Sequence, residues 1–203
     1  ETSTWNQGSG LEPQDIYERL ITNERVSLPV VDGVPQKESV EVLLPPPANA
    51  TSSLSAKYEK PYLMHASIGP SAAMALAEGK KITIWTHSQG VYVLRQSLAE
   101  ALSLEAENLK IIHVPGAGCY GHNGADDAAV DAALIALALA GKPILLKWTR
   151  EDEHAWEPYG SSMVMDLNAS LDDNGKVIKW SQETFSDTYG MRPRPEPDGA
   201  GPA

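Results

Sequence analysis

The sequence predicts an α+β domain: a mixed β-sheet with helices packed on it. Three observations carry that expectation. Strand-like runs at 81–86, 109–114 and 144–149 alternate with helix-like runs at 90–104 and 126–140, an order that brings helices onto a sheet. Tight turns at Glu78-Gly79-Lys80 and Asn174-Gly175 join other runs as hairpins, so antiparallel pairing enters the same architecture. Hydrophobic residues make up 42% and charged residues 21% of the chain, enough to form a core and too apolar for wholesale disorder.

Residues 1–49 read as a lead-in with one helix at 12–21, where Pro13 suits the first turn and Ile16, Tyr17 and Leu20 share a face. The run Leu43-Leu44-Pro45-Pro46-Pro47 breaks regular structure and serves as a connector. The body spans 50–190. It opens with strands at 53–62 and 71–77, and the 78–80 turn leads into the strand at 81–86. In the helix at 90–104, Val91, Leu94, Leu98, Ala101 and Leu102 form one apolar face. The strand at 109–114 ends at Pro115 and a Gly-rich loop. The helix at 126–140 begins with Asp126 and Asp127 at its positive end and stops at Gly141. A strand at 144–149, a short charged helix or turn at 150–156 and a hairpin of 163–171 with 177–184 complete the body. Residues 191–203, rich in proline, form a tail.

Charge and composition narrow the partners. Net charge is −11, and the Lys and Arg residues are scattered, so no basic stripe exists to neutralise a nucleic-acid backbone or an anionic membrane. The longest apolar-rich run, 128–140, contains Asp131 and falls short of the roughly 20 residues that cross a bilayer; it reads as a core helix, with no direct membrane insertion. The single cysteine, Cys119, excludes an intrachain disulfide and any multi-cysteine zinc or iron–sulfur site. The start, Glu1-Thr2-Ser3-Thr4, has no signal-peptide pattern and no Met, and reads as the interior of a longer protein.

Candidate chemistry gathers at two loops. Gly116-Ala117-Gly118 follows a strand, and Gly121 and Gly124 lead into a helix, so backbone N–H groups can face one concavity and a bulky or anionic ligand can approach the main chain. The loop lacks the Lys-Ser/Thr ending of a P-loop and fits the dinucleotide fingerprint poorly. Gln89 stands just beyond a strand end, with an amide that offers donors and an acceptor without charge. His65, His87 and His122 lack the paired spacing of a zinc site and read as hydrogen-bonded structural groups; His113 reads as packed within its strand. Cys119, with His122 as base and the loop amides as oxyanion hole, would make a thiol enzyme. Ser88 lies in no Gly-x-Ser-x-Gly elbow, and the charged run 150–154 reads as a helix start without catalysis.

Four blocks in order carry a family resemblance: Pro61 to Ser71, Trp85-Thr86-His87-Ser88-Gln89-Gly90, Gly116 to Asp127, and Trp148 to Gly160. Together they resemble the molybdopterin-binding large subunit of the xanthine dehydrogenase and aldehyde oxidase superfamily, in the branch of isoquinoline 1-oxidoreductase, nicotinate dehydrogenase and membrane-bound aldehyde dehydrogenase. The resemblance implies a fragment of a molybdenum hydroxylase that places a water-derived oxygen on an aldehyde or N-heterocycle. It implies a first molybdenum-cofactor-binding domain, with a molybdopterin, as the cytosine dinucleotide, against Gln89, Gly116, Ala117, Gly118, Cys119, Tyr120 and Gly121. No residue of this chain matches the family's general-base glutamate or a metal ligand, so the catalytic base is expected on polypeptide outside it. The implied partners are the remainder of the large subunit, an iron–sulfur small subunit carrying the clusters, a cytochrome c subunit and a small-molecule substrate, with a periplasmic location. The isolated chain is expected to be inactive and to bind no cofactor. Two other readings stand beside this one: the thiol enzyme, and a non-catalytic module that binds a protein partner.

Overall fold

The computed structural model describes residues 15–38, 40–41 and 45–187. Four α-helices, α1 (Ile16–Thr22), α2 (Val91–Ala101), α3 (Ala125–Ala138) and α4 (Arg150–Trp156), join nine strands. The strands are β1 (Val30–Val31), β2 (Val34–Pro35), β3 (Ser52–Lys60), β4 (Ala72–Glu78), β5 (Lys81–Thr86), β6 (Leu109–His113), β7 (Ile144–Lys147), β8 (Met163–Leu171) and β9 (Val177–Ser186). They divide between two units. One takes in the described residues up to Tyr62 together with those from Ser161, and the other runs from Leu63 to Gly160. This partition cuts through the stretch expected to form one body, because β3 pairs along its whole length with β8 rather than with its neighbour in sequence, β4. The tail, and the first residues expected in the opening helix, lie outside the described residues.

The unit from Leu63 to Gly160 carries a four-stranded sheet in the order β6-β5-β4-β7. β5 and β6 run parallel, which needs the α2 crossover, while β4 pairs antiparallel with both β5 and β7. The sheet is therefore mixed, as expected. One face alternates inward through Ala73, Ala75, Ala77, Ile82 and Ile84, and α2 and α3 cover it. The α3 face is almost all alanine: Ala125, Ala128, Ala129, Ala132, Ala133 and Ala136 are buried. Against the alanines of β4, these short side chains bring helix and sheet close together. Leu94 and Leu98 of α2 fill the other end of this core.

The other unit holds the antiparallel sheet β3-β8-β9 and the short β1-β2 hairpin. Leu20 of α1 packs with Val164 and Phe185 to form its small core. The β1-β2 turn, Asp32-Gly33, has both residues at positive φ (48° and 80°), which suits the twist of a two-residue hairpin. This hairpin adds a strand pair to a lead-in read from the sequence as irregular apart from one helix; the Asp-Gly pair is its local signal.

Two other expectations change. The helix expected to reach 104 stops at Ala101, because Ser103 turns to φ 52° and the Leu104 amide closes onto the Ala99 carbonyl. His113 is exposed at the end of β6 rather than packed; its Nδ1 lies 3.0 Å from the Ser88 carbonyl.

The alanine face of α3 leaves no room for growth. Ala132→Leu is expected to lower unfolding free energy by about 1–3 kcal/mol through overpacking, measured by urea denaturation of the chain.

Candidate cofactor-binding site

The loops singled out in the sequence all fall in the Leu63–Gly160 unit, at the ends of β5 and β6. Gln89 follows β5 and precedes α2, with its side chain exposed. The chain around it is pinned from below: the Ser88 amide donates to Thr86 Oγ1 at 3.2 Å, and the Gly90 amide to Ser88 Oγ at 3.1 Å. Thr86 and Ser88 are both buried. Gln89 is thus held outward at the top of a strand by its neighbours.

After β6, residues 116–121 form the second loop. Gly116, Ala117, Tyr120 and Gly121 are exposed, and Tyr120 keeps 62% of its surface. Among the described residues, no amide N–H from Gly116 to Gly121 meets an intramolecular acceptor. The loop therefore offers available donors, and its glycines answer to side chains packed beneath it. A Cβ on Gly116 would collide with the His87 ring, and one on Gly121 with the His65 ring. Gly118 and Gly121 also have φ of 103° and 145°, conformations that an L side chain rarely adopts. The glycines let two imidazoles lie directly beneath the loop.

Those imidazoles and Asn123 set the loop's course. His65 Nδ1 lies 2.8 Å from the His122 carbonyl oxygen and 3.1 Å from its amide nitrogen. Asn123 Oδ1 accepts from the Ala125 amide at 3.1 Å, which fixes which end of the side chain is the amide nitrogen. Its Nδ2 then donates to the Gly118 carbonyl at 3.2 Å and sits 3.1 Å from His87 Nδ1. On the opposite edge of the ring, His87 Nε2 accepts from the Ala72 amide at 3.2 Å. The Ala72 amide makes Nε2 the accepting nitrogen, so the one proton of the neutral ring sits on Nδ1, and a second proton on Nε2 would face an N–H donor. Burial holds this imidazole below the usual histidine range; Glu153 and Asp126 oppose that shift and His113 adds to it.

Beneath this layer lies a residue that no sequence motif singles out. Glu153 on α4 is fully buried. Its Oε2 accepts from the Ser71 amide at 2.6 Å, and its Oε1 from Ser71 Oγ at 3.1 Å and the Gly124 amide at 3.4 Å. One carboxylate thereby joins the entry to β4 with the N-cap of α3, where its charge also meets the positive helix end. Four residues on, buried Glu157 accepts from the His65 amide at 2.7 Å and the Ala66 amide at 3.2 Å through Oε1. Arg150 donates to the Ser67 and Ile68 carbonyls. The charged run 150–157 is a clamp on the 65–71 loop. Its signal is the i, i+4 placement of Glu153 and Glu157, which reads equally as a solvated face.

The remaining candidates separate. Cys119 Sγ donates to the Gly121 carbonyl at 3.1 Å, and the His122 ring points to Asp126 (Nε2 to Oδ2, 3.4 Å). The base required by a thiol enzyme is not beside the sulfur. Among the described residues, no group of three or more His, Cys, Asp or Glu side chains could hold a metal ion. An uncharged amide beside a run of available backbone N–H donors fits a large polar cofactor that brings its own ligands to a metal.

Comparison with known proteins agrees with this chemistry. Residues 46–193 match the model of the molybdopterin cofactor-binding domain, and the chain belongs to that family. It is 35% identical over 183 residues to a nicotinate dehydrogenase subunit of Pseudomonas putida, covering 89% of this chain and 15% of that protein. It is 29% identical over 140 residues to PaoC, the molybdenum-binding subunit of Escherichia coli aldehyde oxidoreductase, covering 68% and 19%. The fold resembles the aldehyde oxidoreductase of Desulfovibrio gigas with a TM-score of 0.55 at 20% identity, over 68% of this chain and 15% of that one. The chain spans less than a fifth of the length of these relatives.

Two outcomes follow from the site's packing. Gly121→Ala should cost about 1–3 kcal/mol, from positive φ and the His65 contact, read as a lower urea midpoint. His87 should titrate below the reference value near 6.5 in an NMR pH series. Its folded pKa lies under its unfolded one, so the unfolded chain takes up the proton first. Stability from this group is flat above about pH 6.5, falls as pH drops through that value, and levels off below the folded pKa. In His87→Gln that part of the pH dependence should vanish.

Proposed function

We propose that this chain supplies one wall of the molybdopterin site in a molybdenum hydroxylase that oxidises an aldehyde or an N-heterocycle with water-derived oxygen. The observation that carries this reading is the pairing of exposed, uncharged Gln89 with the 116–121 loop, whose amide N–H groups have no intramolecular acceptor among the described residues. In this reading Gln89, Gly116, Ala117, Gly118, Cys119, Tyr120 and Gly121 contact the cofactor. When bound, the cofactor supplies the metal and the two-electron redox chemistry. Gln89 can donate to or accept from an uncharged or oxyanionic group without adding charge, and the loop amides offer donors to the cofactor's polar periphery. His65, His87 and Asn123 hold that loop in place.

Family resemblance supports the finer parts of the proposal: the cytosine dinucleotide form, iron–sulfur clusters on a partner subunit, a cytochrome c subunit and a periplasmic location. It also supports a catalytic base on polypeptide beyond these 203 residues. The names of the relatives, a nicotinate dehydrogenase and an aldehyde oxidoreductase, support the two substrate classes.

The test is co-expression of the complete large subunit with its iron–sulfur partner, followed by elemental analysis and nucleotide release. Molybdenum together with CMP is expected. Absence of both would remove the function, and molybdenum without CMP would remove the dinucleotide assignment. Gln89→Ala is expected to lower activity or molybdenum occupancy by about 10–100-fold, the scale for residues that support a metal from outside its ligand shell. Unchanged occupancy and turnover would take Gln89 out of the site.

A further inference from the structure

Strand β3 is the outer strand of the β3-β8-β9 sheet. All of its residues from Ser52 to Glu59 are exposed, and only Lys60 is partly covered. One of its edges pairs with β8. Among the described residues nothing pairs with the other, so alternate N–H and C=O groups along it face outward, a ready template for another strand.

The residues on that edge complement themselves. Lys57-Tyr58-Glu59 reads as the same charge pattern when turned end to end against its own copy. About a two-fold axis at Tyr58, each Lys57 stands opposite a Glu59 on one face of the joined sheet, and the two tyrosines meet on the other. Opposite charges and aromatic pairs directly across an antiparallel ladder are both stabilising. Tyr58 is 57% exposed, and neither Lys57 nor Glu59 makes an intramolecular ion pair among the described residues. The other outer strand, β9, is less free: its Lys179 donates to the Pro45 carbonyl, and Phe185 is buried under α1. We propose that β3 pairs edge to edge with β3 of a second copy of this chain, antiparallel about an axis at Tyr58, with Lys57–Glu59 pairs setting the register.

Sedimentation of the 203-residue chain over a concentration series tests this, with circular dichroism confirming that each variant is folded. The wild-type chain should show a monomer–dimer equilibrium. Lys57→Glu and Glu59→Lys should each weaken it roughly tenfold, because both pairs become like-charged. The double variant K57E/E59K restores the opposite pairs and should recover the wild-type equilibrium. Tyr58→Cys in a Cys119→Ser background should form an intermolecular disulfide on mild oxidation, because directly opposed strand residues lie within disulfide reach. A chain that stays monomeric overturns the proposal. So does association through β9 or any other surface, which would leave both single variants unaffected. Failure of the double variant to recover, or absence of the cross-link, overturns the register.

Discussion

A single buried carboxylate holds the site together. Glu153 has no cation beside it among the described residues; three hydrogen bonds and the end of α3 offset its removal from water. An ionised group in such a place is costly unless its oxygens are satisfied. Those bonds must therefore form wherever α4 docks, and they bring the start of β4 and the start of α3 to one point. Trp148 reinforces the same junction. Its amide donates to the Ser71 carbonyl, its indole Nε1 to Asp131, and its ring lies where a Cβ of Gly124 would be.

From that point the constraint passes outward in layers. Once Gly124 is placed, Asn123 can cap the first turn of α3 through Oδ1 and hold Gly118 through Nδ2. Once Ser71 is placed, the Ala72 amide reaches His87. Glu157, one turn along from Glu153, sets the 65–66 backbone and with it the ring under Gly121. The outermost layer, Gln89 and 116–121, needs few bonds of its own. Its shape is imposed from beneath, which leaves its amide donors available to a ligand. A rigid base with an unsatisfied surface is the arrangement that a preorganised binding site needs.

Much of this is legible in the residues. The strand and helix runs follow from periodicities of 2 and 3.6, and the turns from Gly79 and Gly175, because these patterns report local geometry. The two loops are legible as well: a Gly-rich strand-to-helix turn and an uncharged amide at a strand end have recognisable local forms. The β1-β2 hairpin is equally local in origin, but its strands are two residues each, too short to show an alternation beside the Asp32-Gly33 turn. Ser103 differs, since nothing near it in sequence requires a positive φ; packing of Leu104 back over α2 supplies the reason.

The sequence by itself determined which segments are the longer strands and helices, the family of cofactor-binding domains to which the chain belongs, and where the Gly-rich loop and the strand-end amide lie. Those properties reside in short-range pattern and in motif order. Only the tertiary structure decided which charges are buried. Glu153 and Glu151 are both acidic residues on α4, yet one is enclosed and the other exposed. Only the fold decided why the loop needs glycine, because the colliding rings of His65 and His87 come from distant positions. It also split the chain into two units by pairing β3 with β8. Contacts between residues far apart in sequence leave no local periodicity, and burial, tautomer choice and sheet partnership all depend on them.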